Sequence, residues 1–287
     1  MKLTLSYEKT LDQNASASFE QAKQARKKLE KVKETIASFE KKAEKARREE
    51  QTEFESSFTK LEHHKKAWYE KFKWSVTSEG FLMIGGRDAT TNEIIIKKHT
   101  DEGDLVFHTD MAGSPFVVIK KNSLEDVQKL FGKEISLPAE IGEASIQDAG
   151  NFTAIHSRAW KQGMTTTDTF YVTPEQVTKE ANAGESLSRG SFVIRGKTSY
   201  IPVDLHLAVG IVTSDEPFLL SGPVASVEKW CAKRVRVEQG REKTSQVAKD
   251  IRSTLRKETE LDADLDELVR MLPSGGCQVV KERRRKN

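Results

Sequence analysis

The sequence predicts an α+β protein: an N-terminal helical coiled-coil arm, then a mixed, largely antiparallel sheet domain with packed helices. The first glycine is Gly80 and the first proline is Pro115, so the arm lacks both residues that interrupt helices. After Lys73, short apolar or alternating runs are separated by turn-rich segments, as is typical of antiparallel strands. We therefore divide the chain into an arm (1–73), an α+β domain (74–240), and C-terminal helices with a basic tail (241–287).

Apolar and small residues recur in the arm at the heptad spacing of a coiled coil. The two seams are Ala15, Ala22, Leu29, Ile36, Ala43 and Ser18, Ala25, Val32, Phe39, Ala46. The seams are rich in alanine, which buries little area, so an isolated pairing would be weak. The apolar pattern lapses at 47–53 and then resumes. We predict a helical hairpin with its turn in this lapse, and a continuous helix with a stutter is the alternative.

The remaining elements are assigned from period-two or helical patterns and from turn residues between them. The predicted strands are Phe81–Ile84, Glu93–Lys98, Asp104–His108, Phe116–Lys120, Thr169–Val172, Ser191–Ile194, Leu205–Val212 and Arg234–Val237. The predicted helices are Ser136–Ile155, Val224–Ala232, Glu242–Arg256 and Leu265–Met271.

Positive charge is concentrated on the arm. Residues 21–73 contain 16 Lys and Arg against 10 Asp and Glu, a net of +6, whereas the whole chain has a net of +3. Such clusters can contact a phosphate backbone. They also suit a solvated coiled-coil flank in which glutamates pair locally with lysines, and both interpretations stay open.

Composition also excludes some classes of protein. No apolar run approaches the ~20 residues of a membrane span, and the N-terminus has no apolar signal core. Cys231 and Cys277 do not form a CxxC pair and are predicted to be reduced thiols. We expect a cytoplasmic protein that does not contact a membrane and binds no cofactor.

Basic residues of the globular part form two groups. Arg158, Trp160 and Lys161 follow the helical stretch, where the cations can bind RNA phosphates and the indole can stack on a base. A half-buried tryptophan with capping cations is the alternative. Arg189, Arg195 and Lys197 bracket a strand, with the last two on one face by period two. A surface strand charged for solubility explains these equally well.

His108 and Asp110 would share a face if their strand continued, as in a metal pair or an acid–base pair. Two such residues do not make a site, and a histidine–aspartate hydrogen bond at a strand end is the simpler interpretation. The turn Gly85-Gly86-Arg87-Asp88 lacks the helix start that would make a phosphate cradle convincing. We therefore predict no catalytic residues and no metal, and treat a hydrolase centred on His108 as the least favoured function.

A series of ordered motifs resembles the RNA-binding domain of the NFACT family. The motifs are Trp68–Trp74, Gly80–Asp88, Asn92-Glu93, Gly103-Asp104, His108–Ser114, Ser157–Trp160, Tyr171–Val177, Gly184–Leu187 and Gly190–Lys197. Asn14-Ala15 and the lysine-rich helix after it resemble the start of the family's middle coiled coil. In or beside these motifs, we assign RNA binding to Arg87, His108, Asp110, Lys120, Arg158, Trp160, Lys161, Arg189, Arg195 and Lys197.

The resemblance implies a function in ribosome-associated quality control. Family members of the RqcH and NEMF types bind the large ribosomal subunit carrying a stalled peptidyl-tRNA, recruit tRNA and support alanine-rich tailing. We therefore expect an RNA-binding module that engages tRNA or rRNA on the large subunit. Members carry an N-terminal NFACT module ahead of the coiled coil, so we expect either a fragment or a short form whose partner is a separate protein with that module. A coiled-coil adaptor without a direct RNA role is the alternative.

Overall fold

The computed structural model describes residues 5–61, 67–180 and 188–280. The chain divides into two compact units, residues 1–58 and residues 59–287. The predicted basic tail and the motif at 184–187 lie outside the described residues. Among the described helices, none combines the length and the apolar character that crossing a membrane requires.

Helices and strands alternate through the described part of the second unit. The described helices of the chain are α1 (Leu11–Ser56), α2 (Ala89–Lys98), α3 (Leu124–Phe131), α4 (Glu143–Ile155), α5 (Arg158–Gln162), α6 (Val224–Trp230), α7 (Thr244–Thr259) and α8 (Leu265–Met271). The described strands are β1 (Thr59–Lys60), β2 (Lys73–Val76), β3 (Leu82–Gly85), β4 (Leu105–Thr109), β5 (Val117–Lys120), β6 (Thr169–Val172), β7 (Val177–Thr178), β8 (Val193–Ile194), β9 (Ser199–Ile201), β10 (Leu207–Val212), β11 (Phe218–Pro223), β12 (Lys233–Glu242), β13 (Leu261–Asp262) and β14 (Cys277–Val279).

The first unit contains α1, a single helix of 46 residues. The predicted hairpin is therefore wrong, because the segment 47–53 is helical where we placed the turn. Its sequence, RREEQTE, contains no glycine or proline, and a lapse in the apolar seam does not interrupt the backbone hydrogen bonds of a helix. Leu29, Val32, Ile36 and Phe39 of the seams are each more than half exposed.

The boundaries predicted at 73 and 240 are corrected by the second unit. Tyr69 and Phe72 are buried in its core, although the spacing of Phe72 continued the apolar pattern of the arm. The boundary at 240 falls inside β12, and α7 packs on the sheet that contains this strand through Val247 and Ile251. The C-terminal helices therefore belong to the same compact unit as the sheets.

Strands β2, β3, β5, β4, β6 and β9 form an antiparallel sheet in that order. Alternate residues of its strands enter two different apolar clusters, as the period of two requires. Leu82 and Ile84 lie in one cluster, and Phe81 and Met83 lie in the other with Phe152 of α4. Both faces of this sheet are therefore buried.

Strands β11, β10, β12 and β14 form a second antiparallel sheet. Ala208 of β10 lies in the cluster that contains Leu82 of the six-stranded sheet, so the two sheets share one core. The next residue, Val209, packs instead with Val247 and Ile251 of α7. The predicted fold class, a long N-terminal helix followed by a mixed α and β region with largely antiparallel sheets, is confirmed.

One predicted strand is wrong, because Glu93–Lys98 forms the second half of α2. The Asp88 carboxylate accepts a hydrogen bond from the Thr91 backbone N–H at 2.7 Å and caps the helix. Three consecutive isoleucines favour a strand by propensity, but this cap and the burial of Ile95 outweigh that preference. Helix α3 and strands β2, β9 and β11 are among the elements that were not predicted.

Lys120, predicted to bind RNA, instead forms a buried ion pair. Its ammonium donates hydrogen bonds to Asp104, to Asp101 at 2.6 Å and to the His99 carbonyl at 3.1 Å. Asp104 also accepts from the Lys121 backbone N–H at 2.9 Å. The Lys120 side chain is only 8% exposed, so we remove it from the RNA surface and assign it to stability.

We expect Asp104→Asn to lower the free energy of unfolding by about 3–5 kcal/mol, because it leaves a buried ammonium without its charged partner. Urea denaturation followed by tryptophan fluorescence measures this change, since all four tryptophans lie in the second unit. Asp101→Asn is the matched control and should cost about 1 kcal/mol or less, because the Asp101 side chain is 70% exposed. Equal losses in the two variants would contradict the assignment.

Candidate nucleic-acid interface

A cavity of about 440 Å³ is lined by six segments that are distant in the sequence. These segments are Lys73 at the start of β2, the β3–α2 connection (86–89), the β4–β5 loop (112–116), the α4–α5 junction (156–158) with Lys161, the segment before β8 (189–192), and Ser274 before β14. Each is a loop or an element end held on a buried sheet, as is typical of binding sites.

Asn92 of α2 joins two of these segments. Its side-chain oxygen accepts from the Phe116 backbone N–H at 3.0 Å, and its amide nitrogen donates to the Ser114 carbonyl at 3.5 Å. A Cβ at position 86 would lie 1.8 Å from the Asn92 Oδ1, so only glycine fits there. The β3–α2 connection and the β4–β5 loop are thereby held together.

Glu93 positions the segment before β8. Its carboxylate accepts from the Gly190 backbone N–H at 3.2 Å and lies 3.4 Å from the Lys179 ammonium. Hydrogen bonds from Lys97 and then from Gly190 lower the pKa of Glu93 to about 2. Because the carboxylate stays charged near neutral pH, it holds the segment that carries Arg189 against α2.

Arg158 is positioned by the short break between α4 and α5. Ser157 caps α5, since its hydroxyl accepts from the Ala159 N–H at 3.1 Å while donating to the Ala154 carbonyl at 2.7 Å. The Arg158 guanidinium packs against Gly113 of the β4–β5 loop, where a Cβ would lie 2.8 Å from its Nε. Gly113 has a φ of +83°, which favours glycine as well.

The cavity has an excess of positive charge. It is lined by Lys73, Arg87, Arg158, Lys161 and Arg189, against the single carboxylate of Asp88. That carboxylate already serves as the cap of α2. Within the part of the chain that the structure describes, none of these five cations forms a salt bridge. Arg87 donates hydrogen bonds to the backbone carbonyls of Glu70 and Phe72 at 3.0 and 2.9 Å.

Burial lowers the pKa of one lysine and two histidines that line the cavity. Burial, and then the Arg87 guanidinium, lowers the pKa of Lys73 from about 10.5 to about 8. Burial lowers the pKa of His156 well below its usual value, and that of His108 is lowered for the same reason. Both imidazoles are therefore neutral at pH 7, and the cations supply the positive charge of the cavity.

The structure brings five of the ten predicted residues together in this cavity: Arg87, His108, Arg158, Lys161 and Arg189. The glycine turn before Arg87 does lead into a helix, contrary to our expectation, because α2 begins at Ala89. His108 lies half-buried in the cavity wall with its ring 4.3 Å from that of Phe116.

The other predicted residues lie elsewhere, as Lys120 does. Trp160 is buried and donates from its indole to the Gly276 carbonyl at 3.2 Å, so it cannot stack on a base. The Asp110 carboxylate accepts from the Tyr200 hydroxyl at 3.1 Å. Arg195 and Lys197 do not share a strand face, because β8 ends at Ile194. Arg195 lies 3.7 Å from the Glu180 carboxylate.

Lys73, Asn92 and His156 also line the cavity but were not predicted. Lys73 had a readable signal, since it is a lysine within an otherwise apolar and aromatic run that enters a strand. Asn92 and His156 gave no such signal, because each is a single polar residue whose position depends on how distant segments pack.

Comparison with known proteins identifies the class of domain. Residues 71–196 match the family model described as the NFACT protein RNA binding domain. This range contains all five cations of the cavity.

Three relatives then identify the family. The chain is 40% identical over 217 residues to the archaeal Rqc2 homolog aRqcH of Methanocaldococcus jannaschii, covering 75% of this chain and 30% of that protein. It is 33% identical over 189 residues to the ribosome quality control complex subunit NEMF of Homo sapiens, covering 66% and 16%. The NEMF homolog of Drosophila melanogaster is 36% identical over 144 residues, covering 50% and 13%. The chain is thus homologous to the RqcH and NEMF ribosome quality control factors and carries their NFACT RNA-binding domain, as the motifs indicated, while spanning less than a third of each relative.

We expect one lysine resonance to titrate near pH 8 when the side-chain Hε–Cε signals are followed by NMR, because burial disfavours the charged form of Lys73. The Lys73→Arg variant should lose this transition while keeping the positive charge, since arginine stays protonated. If every lysine signal titrates near the usual value of about 10.4, Lys73 is not desolvated as described.

Proposed function

We propose that the second unit binds RNA through the cavity and its cations, and that the chain engages tRNA or rRNA on the large ribosomal subunit in ribosome-associated quality control. The observation that carries this proposal is the concentration of cations without ion-pair partners among the described residues, within the range that matches an RNA-binding domain. Unpaired cations in a concave, partly desolvated site interact strongly with phosphate, because the local dielectric constant is below that of water.

The residue types also suit a phosphate backbone. Arg158 and Arg189 are exposed, and a guanidinium can bind phosphate oxygens in a bidentate manner. The half-buried Phe192 ring beside them offers a surface for base stacking. Arg158 therefore keeps the role in RNA binding that the sequence predicted for it, whereas Arg195 lies outside the cavity and beside the Glu180 carboxylate.

The ribosomal part of the proposal rests on the relatives. Their names describe subunits of ribosome quality control complexes. We infer a cytoplasmic partner set of tRNA or rRNA, the large subunit and a protein that carries an N-terminal NFACT module. Tailing of the nascent chain is left out, because the chain spans only 30% of the archaeal relative.

We expect Arg158→Ala and Arg189→Ala each to weaken binding of tRNA several-fold at moderate salt and to reduce the slope of log affinity against log salt by about one, because each removes a phosphate contact. Fluorescence anisotropy measures both quantities. Lys257→Ala, an exposed lysine on α7 outside the cavity, is the matched control and should change neither.

The thermal midpoints of these variants should stay within a few degrees of the unchanged chain, because both arginines are exposed. Sedimentation with purified large ribosomal subunits at moderate salt then tests the partner. Absence of association at every salt concentration would remove the ribosomal proposal, and an equal effect of Lys257→Ala would remove the cavity as the RNA site.

The second candidate function is a coiled-coil adaptor, favoured by the exposed apolar seam of α1. Leu29, Val32, Ile36 and Phe39 present an apolar stripe suited to another helix. Several cations of α1 are paired within the helix: Lys23 with Glu20, Lys33 with Glu30, Lys45 with Glu49 and Arg48 with Glu44. Local pairing supports a solvated flank over a phosphate contact.

We expect residues 59–287 alone to bind tRNA within about twofold of the whole chain, because the described cations without ion-pair partners in the cavity all lie in this unit. Circular dichroism and a cooperative thermal transition establish that this piece folds. A loss of affinity of tenfold or more in the folded piece would show that the arm contacts RNA, and would contradict the division of roles.

A further inference from the structure

The size and chemistry of the cavity define its ligand more narrowly than RNA in general. A volume of about 440 Å³ falls within the range of small-molecule sites, about 300–1,000 Å³. A duplex or an extended strand is recognised on an open groove or sheet face. A cavity of this size has room for a single nucleotide.

One wall of the cavity suits a phosphate. Arg158, Lys161 and Arg189 approach it from the α4–α5 junction and from the segment before β8, with Lys73 deeper in the cavity. The absence of a side chain at Gly113 lets the Arg158 guanidinium pack directly against the β4–β5 loop. Several cations that line one cavity suit a terminal phosphate monoester, which carries nearly two negative charges at pH 7 and three free oxygens. A phosphodiester inside a strand carries only one charge.

The cavity also has an aromatic surface, because three rings line it. The Phe116 ring lies tilted by 32° against His108 with centroids 4.3 Å apart and meets Phe192 edge-on at 5.4 Å. Phe192 is half-buried, and the Lys179 ammonium lies 4.7 Å from its ring centroid. An aromatic surface beside a cationic cluster is the combination that binds a base together with its phosphate.

We propose that this cavity binds one nucleotide that carries a terminal phosphate monoester, with the phosphate on Arg158 and Arg189 and the base against Phe192. The proposal rests on the RNA-binding function above and deepens it: the domain recognises a phosphorylated end in addition to the backbone. The same chemistry is present in an RNA end and in a free nucleoside monophosphate, and the test separates the two.

The experiment compares short single-stranded RNAs of one sequence in three forms: 5′-phosphate, 3′-phosphate and both ends hydroxyl. Each carries a fluorophore at its other end or within the strand, and binding to the whole chain is followed by anisotropy. We expect one phosphorylated form to bind about tenfold more tightly than the hydroxyl form, a difference of about 1.4 kcal/mol. Arg158→Ala and Arg189→Ala should remove this preference, whereas Lys257→Ala should keep it.

Competition with adenosine monophosphate and with inorganic phosphate identifies the parts of the ligand. Adenosine monophosphate should displace the phosphorylated RNA better than inorganic phosphate does, because it adds the stacked base. Phe192→Ala should reduce this advantage of the nucleotide and leave displacement by inorganic phosphate unchanged. Equal displacement by the two in the unchanged chain would overturn the stacking of the base.

The outcomes separate this inference from the proposed function. If all three RNAs bind equally and in an Arg158-dependent way, RNA binding stands and the recognition of a phosphorylated end is overturned. If no RNA binds but adenosine monophosphate binds in an Arg158-dependent way, the nucleotide site stands and the RNA-binding function falls. Thermal midpoints of the variants establish that a loss of binding does not reflect unfolding.

Discussion

The candidate site depends on the amide of Asn92, which is buried and binds the backbone of the β4–β5 loop at Phe116 and Ser114. A buried side-chain amide without partners costs roughly 1–3 kcal/mol, so this geometry is strongly specified. The neighbouring Gly86 has to lack a side chain for the amide to fit. Because the loop and the β3–α2 connection are fixed to each other here, the cavity between them has a defined shape. The position of this loop in turn places Gly113 beside Arg158 and Phe116 in the wall of the cavity.

The sheets were largely predictable because their strands have simple signals. Phe81–Ile84 and Thr169–Val172 are short apolar runs between turn residues, and both are strands in the structure. The error at Glu93–Lys98 has a specific cause: a side-chain cap at Asp88 outweighed the strand preference of three isoleucines. The turn predicted within α1 is absent for a different reason. A break in apolar periodicity does not interrupt a helix that is composed of good helix formers.

Only half of the predicted RNA-binding residues line the cavity, because the sequence does not show which basic and aromatic side chains are buried. The sequence does not distinguish a strand-end lysine that binds RNA from one that pairs with a buried carboxylate. Lys120 pairs with the buried carboxylate of Asp104. Trp160 likewise follows an arginine in a basic motif, yet its ring belongs to the core. Arg158 and Arg189, both predicted to bind RNA, line the cavity, and each lies beside a glycine- or serine-containing turn, where loops present side chains.

Charge pairing explains why net charge was a poor guide to the partner surface. Outside the cavity, four arginines of the second unit share two carboxylates: Arg234 and Arg236 lie on Glu228, and Arg252 and Arg256 lie on Asp262. Each carboxylate offsets the charge of one arginine, so these arginines add less to the potential at the surface than their number suggests. The cavity cations have only Asp88 against them, and that carboxylate already caps α2. A domain with a modest overall charge can therefore concentrate a strong positive potential where a nucleotide phosphate would enter, whereas several cations of the arm are paired along the helix.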